Sequence, residues 1–132
     1  MSKRLRFPYT SFGSSLMPFI PISFQRRGQN LQTVALVDSG ASVNVLPYEI
    51  GLQLGAIWKE QTQMISLAGN LAKHEARAIV IRAQVGALEP IRLVFAWTNQ
   101  PNMRLILGQQ NFFQQFQVCF FGDEAAFEVT QK

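Results

Sequence analysis

The residues best suited to chemistry in this sequence form a short turn around Asp38. An apolar run, 34–37, leads into this aspartate, and a Ser-Gly-Ala-Ser sequence, 39–42, follows it. A carboxylate at the end of an apolar strand is unfavourable to bury unless it is hydrogen-bonded or used in catalysis. Gly40 permits a sharp turn beside the carboxylate, and the serine hydroxyls can donate hydrogen bonds to it. Since Asp, Ser and Gly are also common turn residues, this stretch alone favours an ordinary turn and an active site equally.

The other reactive side chains give less support to catalysis. Asp123, the only other aspartate, follows a glycine in a predicted turn, and no second copy of the Asp-Ser-Gly motif exists. His74 lies in a polar stretch and is predicted to be a solvated strand residue. Cys119 lies between two apolar residues and is predicted to be a core or interface thiol. The chain has no Cys/His spacing for zinc, no phosphate-binding loop and no dinucleotide fingerprint, so no metal or cofactor is expected.

The composition predicts one domain and a partner. The 132 residues are 48% hydrophobic and only 15% charged, with 11 phenylalanines. This surplus of apolar residues predicts a subunit interface, and therefore a homodimer. No apolar run reaches the roughly 18 residues that a membrane helix needs. A single cysteine cannot form an internal disulfide, which favours a reducing, cytoplasmic setting.

The net charge of +4 makes a nucleic-acid-binding surface conceivable, because the first 30 residues contain five basic and no acidic residues. These basic residues are not interleaved with aromatics, so a solvated tail and a hairpin turn at 26–30 are favoured over a nucleic-acid surface. Residues 1–15 are predicted as an N-terminal arm, and residues 16–132 as a single domain.

The apolar patterns predict a mainly β chain with seven or eight strands and two short helices. One helix begins after Pro47 and ends at Gly55, and the other covers 109–115, with Phe112, Phe113 and the following Phe116 at helical spacing. A hairpin with its turn at 68–70 starts at Met64. The predicted strands are 17–24, 31–37, 43–46, 78–85, 91–97, 103–108, 117–121 and 126–130.

With these elements in order, the chain resembles the retropepsin-like aspartic peptidases. Residues 37–42 match the Asp-Thr/Ser-Gly-Ala signature of that family, and residues 105–113 match its apolar-apolar-Gly strand followed by a helix. A helix and a hairpin separate the two motifs, as in the family. The resemblance covers residues 16–130 and implies a closed β-barrel, one half of an acid protease, that works as a homodimer.

The resemblance also implies roles for individual residues. Asp38, one per subunit, would be catalytic, in an active-site turn with Ser39, Gly40, Ala41 and Ser42. A flap over the cleft would consist of Met64, Ile65, Ser66, Leu67, Ala68 and Gly69. Leu107 and Gly108 would support the turn from behind, and the residues expected to line apolar substrate pockets are Ala41, Ile65, Leu67 and Leu105. The chain departs from retroviral members at Ser42, where they have an acid, and at Gln109, where they have an arginine.

Three functional hypotheses follow. The first is a homodimeric aspartic endopeptidase that hydrolyses extended polypeptides with a water activated by two Asp38 carboxylates. The alternative is a catalytically silent retropepsin-fold dimer that binds a peptide or protein. The third, a small basic β-barrel for nucleic acid, rests on charge alone, so no nucleic-acid partner is expected.

Overall fold

The computed structural model describes residues 3–67 and 74–132. The predicted mainly β fold is confirmed. The strands in the described part of the chain are β1 (Arg4–Pro8), β2 (Thr10–Phe12), β3 (Ser15–Met17), β4 (Phe19–Arg26), β5 (Gln29–Val37), β6 (Asn44–Leu46), β7 (Ala76–Gln84), β8 (Ile91–Thr98), β9 (Ile106–Leu107), β10 (Phe116–Phe121) and β11 (Ala126–Gln131). The helices are α1 (Tyr48–Gln53) and α2 (Phe112–Gln115), and single 3-10 turns cover Trp58–Glu60 and Gly122–Glu124.

Six strands close into a barrel in the order β4-β5-β9-β6-β8-β7. The pairs β5–β9 and β6–β8 are parallel, and the other neighbours are antiparallel. Alternate residues of β4 and β8 point into the barrel, as a strand with one buried face requires. Trp97 on β8 is fully buried, and its Nε1 donates to the Tyr48 carbonyl at 3.2 Å, which ties α1 to the barrel wall.

The β4–β5 hairpin sets the register of the strand that leads to Asp38. Its connection is a two-residue turn, Arg27-Gly28, in which both residues have positive φ (46° and 84°). This geometry matches the twist of antiparallel strands. The turn predicted at 26–30 is therefore present, and eight residue pairs extend from it towards Phe19 and Leu36.

The N-terminal basic residues belong to a second sheet with the order β1-β11-β10. Arg6 donates to Glu128 at 2.9 Å and to Glu124 at 2.8 Å, and the hydrogen bond to Glu128 raises the pKa of Arg6. Arg4 lies 3.6 Å from Glu128. Residues 4–8 are therefore a paired strand and not the predicted tail, because they align with β11 and its acidic side chains, although Arg4 and Arg6 remain exposed to solvent.

Two predicted elements are shorter than expected. Of the predicted strand 103–108 only Ile106–Leu107 is a strand, and of the predicted helix 109–115 only four residues are helical. The strand ends before Gly108 because the Gly108 N–H bonds to Asn44 Oδ1, and the helix begins late because the N–H groups of Gln109 and Gln110 bond to the Asp38 turn. None of the helices in the described ranges has the length and apolar character needed to cross a membrane.

Candidate active site

Asp38 lies immediately after β5, where the chain leaves the barrel. Its backbone N–H donates to the Leu107 carbonyl at 3.0 Å, and the N–H of Val37 donates to Pro18 at 3.0 Å. Val37 is buried, whereas Asp38 is partly exposed. The apolar run thus anchors the strand in the core and delivers the carboxylate to the surface.

The turn after Asp38 holds one of the two carboxylate oxygens. The Gly40 N–H donates to Asp38 Oδ1 at 2.9 Å, and the Ala41 N–H donates to the Asp38 carbonyl at 3.1 Å. A Cβ on Gly40 would lie only 3.3 Å from that carboxylate oxygen, so glycine keeps the approach open. Ser39 and Ser42 are exposed, and neither hydroxyl bonds to the carboxylate within the described residues. The hydrogen bond that the sequence allows from the Ser42 hydroxyl to the carboxylate is therefore not made in the single chain.

An open cavity of about 260 Å³ adjoins Asp38 and Ser39. Its other walls come from Met17, Pro18, Leu36, Val37 and Phe120. Phe120 belongs to β10 of the second sheet, and its side chain is 39% exposed. The carboxylate therefore stands at the rim of a mostly apolar hollow, where an added chain can approach it.

The segment 108–110 supports the turn from behind. Gln109 and Gln110 donate their backbone N–H groups to the carbonyls of Ala41 and Ser42, both at 2.9 Å. Gln109 Nε2 also donates to the Ser39 carbonyl at 2.7 Å. A Cβ on Gly108 would lie 2.7 Å from the Ala41 oxygen, so only glycine fits there. Leu107 is fully buried beside it.

Sequence reasoning missed Asn44, the buried polar centre of this support. Its Oδ1 accepts from the Gly108 N–H at 2.8 Å, while its Nδ2 donates to the Val94 carbonyl and to Asn111 Oδ1, each at 3.0 Å. Asn111 Oδ1 also accepts from the Val94 N–H at 3.2 Å. The sequence did contain a signal, since Asn44 lies between two valines of a predicted strand. A polar side chain buried at such a position is expected to be hydrogen-bonded.

The flap segment is described only up to Leu67, and Ala68 and Gly69 lie outside the described residues. The Ile65 N–H donates to the Ala76 carbonyl at 3.0 Å, and Met64 bridges to Arg77. Met64 is 56% exposed, whereas Leu67 is buried. Ser66 is exposed. The first arm of the predicted hairpin therefore pairs with the start of β7.

Ile65 also lines a second cavity, of about 310 Å³, with Val43, Val94, Ala96, Gln110, Asn111 and Gln114. Of the four residues expected to line apolar pockets, Ala41 is partly exposed in the turn, and Ile65 lines this cavity. Leu67 and Leu105 are buried in hydrophobic clusters. In the single chain these two side chains are already packed, and a place for them in a substrate pocket stays a prediction.

The other reactive side chains do not join Asp38. Asp123 is exposed in the 3-10 turn between β10 and β11. Cys119 is exposed on β10, which excludes the core thiol and leaves the interface thiol a prediction; strand alternation turns its neighbour Val118 towards the core instead. His74 is half-buried at a bend. No cluster of three metal-ligating side chains occurs in ranges 3–67 and 74–132.

The described chain therefore supplies one carboxylate, in a fixed turn, beside an open hollow. A single ionised carboxylate can act as a general base on water, but it cannot donate a proton to the substrate carbonyl in the same step. All eight acidic residues of the sequence lie in the described ranges, and none of the seven besides Asp38 hydrogen-bonds to Asp38 or its turn.

Comparison with known proteins identifies the architecture. A retropepsin-like aspartic protease from Rickettsia conorii superposes with a TM-score of 0.71 at 12% sequence identity, over 99% of this chain and 93% of that chain. The fold is retropepsin-like. No family model matches the sequence, and no curated protein sequence matches it either. At 12% identity the likeness establishes the fold alone.

Proposed function

We propose that this protein is a homodimeric aspartic endopeptidase in which each subunit contributes Asp38. The observation that carries the proposal is the placement of this carboxylate, which follows a buried strand and stands at the rim of an open hollow. Within the described ranges, one of its oxygens accepts a hydrogen bond from the Gly40 N–H and the other accepts none. A solitary aspartate in an ordinary turn has no need for the supporting hydrogen bonds from 108–110.

The chemistry requires a second carboxylate, because one group must be ionised while the other is protonated. Two carboxylates about 3 Å apart share a proton, since two like charges that close cannot both ionise. The ionised oxygen takes a proton from water, and the protonated one polarises the scissile carbonyl. With one suitable aspartate per chain, a two-fold axis beside Asp38 supplies the pair.

Substrate would bind as an extended strand between the Asp38 turn and the segment 64–69. Main-chain hydrogen bonds would hold such a peptide, and side-chain cavities would select its sequence. The second cavity, lined by Val43, Ile65 and Ala96, is mostly apolar and suits an aliphatic or aromatic substrate side chain.

The test is cleavage of a mixed peptide library by the wild type and by Asp38→Asn, between mildly acidic and neutral pH. We expect cleavage that is faster at mildly acidic pH, where the pair is singly protonated, and that stops with the variant or with a statine-type transition-state mimic. Asp123→Asn is the matched control and should cleave like the wild type. Absence of cleavage by a protein that is dimeric in solution would refute the proposal and favour the peptide-binding alternative.

A further inference from the structure

A cavity of about 470 Å³, larger than the Asp38 hollow, lies apart from it. It is formed by the N-terminal segment and the outer face of the β4–β5 hairpin. Its walls are mainly apolar and include Phe7, Phe12, Phe19 and Val34, with Arg104 at one side. Phe12 is 50% exposed and Val34 is 55% exposed, although both are large apolar side chains. Nothing in the described chain covers them.

Arg104 is held at this cavity without a carboxylate partner. Its guanidinium carbon lies 4.2 Å from the centre of the Phe12 ring, and Phe12 contacts Phe19 at 5.9 Å between ring centres. The ion pairs in the described ranges, which contain every acidic residue of the sequence, involve Arg4, Arg6 and Arg77 only. A guanidinium stacked on a ring keeps its N–H groups free, and it prefers a carboxylate in planar, two-pronged geometry.

The cavity lies on the same face of β5 as the candidate catalytic group. Side chains two apart on a strand share a face, so Val34, Leu36 and Asp38 follow one line. Leu36 lines the Asp38 hollow, Val34 lines the larger cavity, and the Leu36 N–H donates to the carbonyl of Leu105, next to Arg104, at 3.0 Å. Val34 and Asp38 are four steps of about 3.3 Å apart along the strand, a distance of about 13 Å.

We propose that this cavity binds a substrate segment in which an apolar side chain stands next to an acidic one. The apolar side chain packs on Phe12, Phe19 and Val34, and the carboxylate pairs with Arg104. An extended peptide that reaches from Asp38 to this cavity needs about four residues on that side of the cleaved bond. The assignment of the occupant as substrate rests on the proposed function, whereas the recognition chemistry rests on the cavity itself.

The experiment measures binding separately from cleavage. Isotope-labelled Asp38→Asn protein is titrated with acetyl-Ala-Phe-Glu-Ala-amide, and with the same peptide carrying Gln in place of Glu, while backbone amide shifts are followed by NMR. We expect the acidic peptide to bind about fivefold more tightly at low salt, with shifts at Phe12, Phe19 and Val34, and the preference to shrink as salt is raised. Equal affinity for the two peptides, or shifts elsewhere, would overturn the inference.

Substitutions then test whether Arg104 is the residue that prefers the acidic peptide. Arg104→Gln should abolish the preference for the acidic peptide, and Arg104→Lys should keep part of it. The matched control, Arg92→Gln, removes an exposed arginine of β8 and should retain the full preference. Loss of the preference in Arg92→Gln as well would indicate attraction by net charge alone and would overturn the site. Shifts in the same residues on raising protein concentration without peptide would assign the cavity to a second copy and would also overturn it.

Cleavage assays separate this inference from the proposed function. Cleavage by the wild type with no preference for an acidic residue near the fourth position would overturn the inference and leave the endopeptidase intact. Arg104-dependent binding of the acidic peptide, with no cleavage of any peptide, would support the site and refute the endopeptidase.

Discussion

Asn44 offers the sharpest test of how the Asp38 turn is supported. Truncation to alanine removes one acceptor and two donors from a fully buried position. The buried Gly108 N–H is then left without its partner, which costs about 1–3 kcal/mol. Asn111 Oδ1 still accepts from the Val94 N–H. Loss of the hydrogen bond from Asn44 therefore costs only the ordinary net value, about 1 kcal/mol. The sum predicts that Asn44→Ala lowers the free energy of unfolding by about 2–4 kcal/mol.

Urea unfolding followed by tryptophan fluorescence measures this difference, because Trp97 is buried and reports the loss of the core. With a slope of about 1.5 kcal/mol per molar urea, the midpoint should fall by about 2 M. All variants are compared at one protein concentration, since dimerisation links stability to concentration. The matched control is Asn30→Ala, the same change at an exposed position of β5, which should lie within about 0.5 kcal/mol of the wild type.

A loss in Asn44→Ala no larger than that in Asn30→Ala would refute the reasoning. Asn111→Ala adds an internal check, because Asn44 and Asn111 share a hydrogen bond. The double variant should lose less than the sum of the two single losses, by about 0.5 kcal/mol or more. Additive losses would mean that the two side chains do not form one network.

Two glycines and one glutamine give further predictions. Gly108→Ala should be destabilised by about 1–3 kcal/mol in the same urea assay, because its Cβ meets the carbonyl oxygens of 41 and 43, whereas Gly122→Ala, with open space at its Cβ, should be nearly neutral. Gly51→Ala should lower stability and change the emission of Trp97, since the added Cβ collides with that indole ring; an unchanged midpoint would contradict the packing. Gln109→Ala should lower peptide cleavage with a loss of stability of only about 1 kcal/mol, because it removes one hydrogen bond to the active-site turn; unchanged cleavage would contradict a role in holding that turn.

The sequence predicted the elements whose signals are local. The apolar run into Asp38, the turn that follows and the short helix after Pro47 each depend on neighbouring residues, and all three are present. The hairpin turn at Arg27-Gly28 was recognisable for the same reason. Strand and turn chemistry of this kind acts over a few residues and needs no knowledge of the rest of the fold.

The missed features depend on contacts between distant parts of the chain. Gln109 and Gln110 begin the predicted helix 109–115, yet their N–H groups bond to the turn about 70 positions earlier. Asn44 is satisfied by groups at 94, 108 and 111, which its own neighbourhood does not reveal. Arg104 stacks on Phe12 through a tertiary contact of the same kind. Tertiary pairing of this sort overrides local propensity.

The central claim is that two copies of Asp38 form one catalytic site, and mixing of subunits tests it most directly. Wild type and Asp38→Asn are mixed in different ratios at constant total concentration, exchanged to equilibrium, and assayed for peptide cleavage. Since a mixed dimer has only one aspartate, activity should fall as the square of the wild-type fraction, to about a quarter in an equal mixture. A linear fall, to about half, would mean that each chain carries a complete site and would contradict the account.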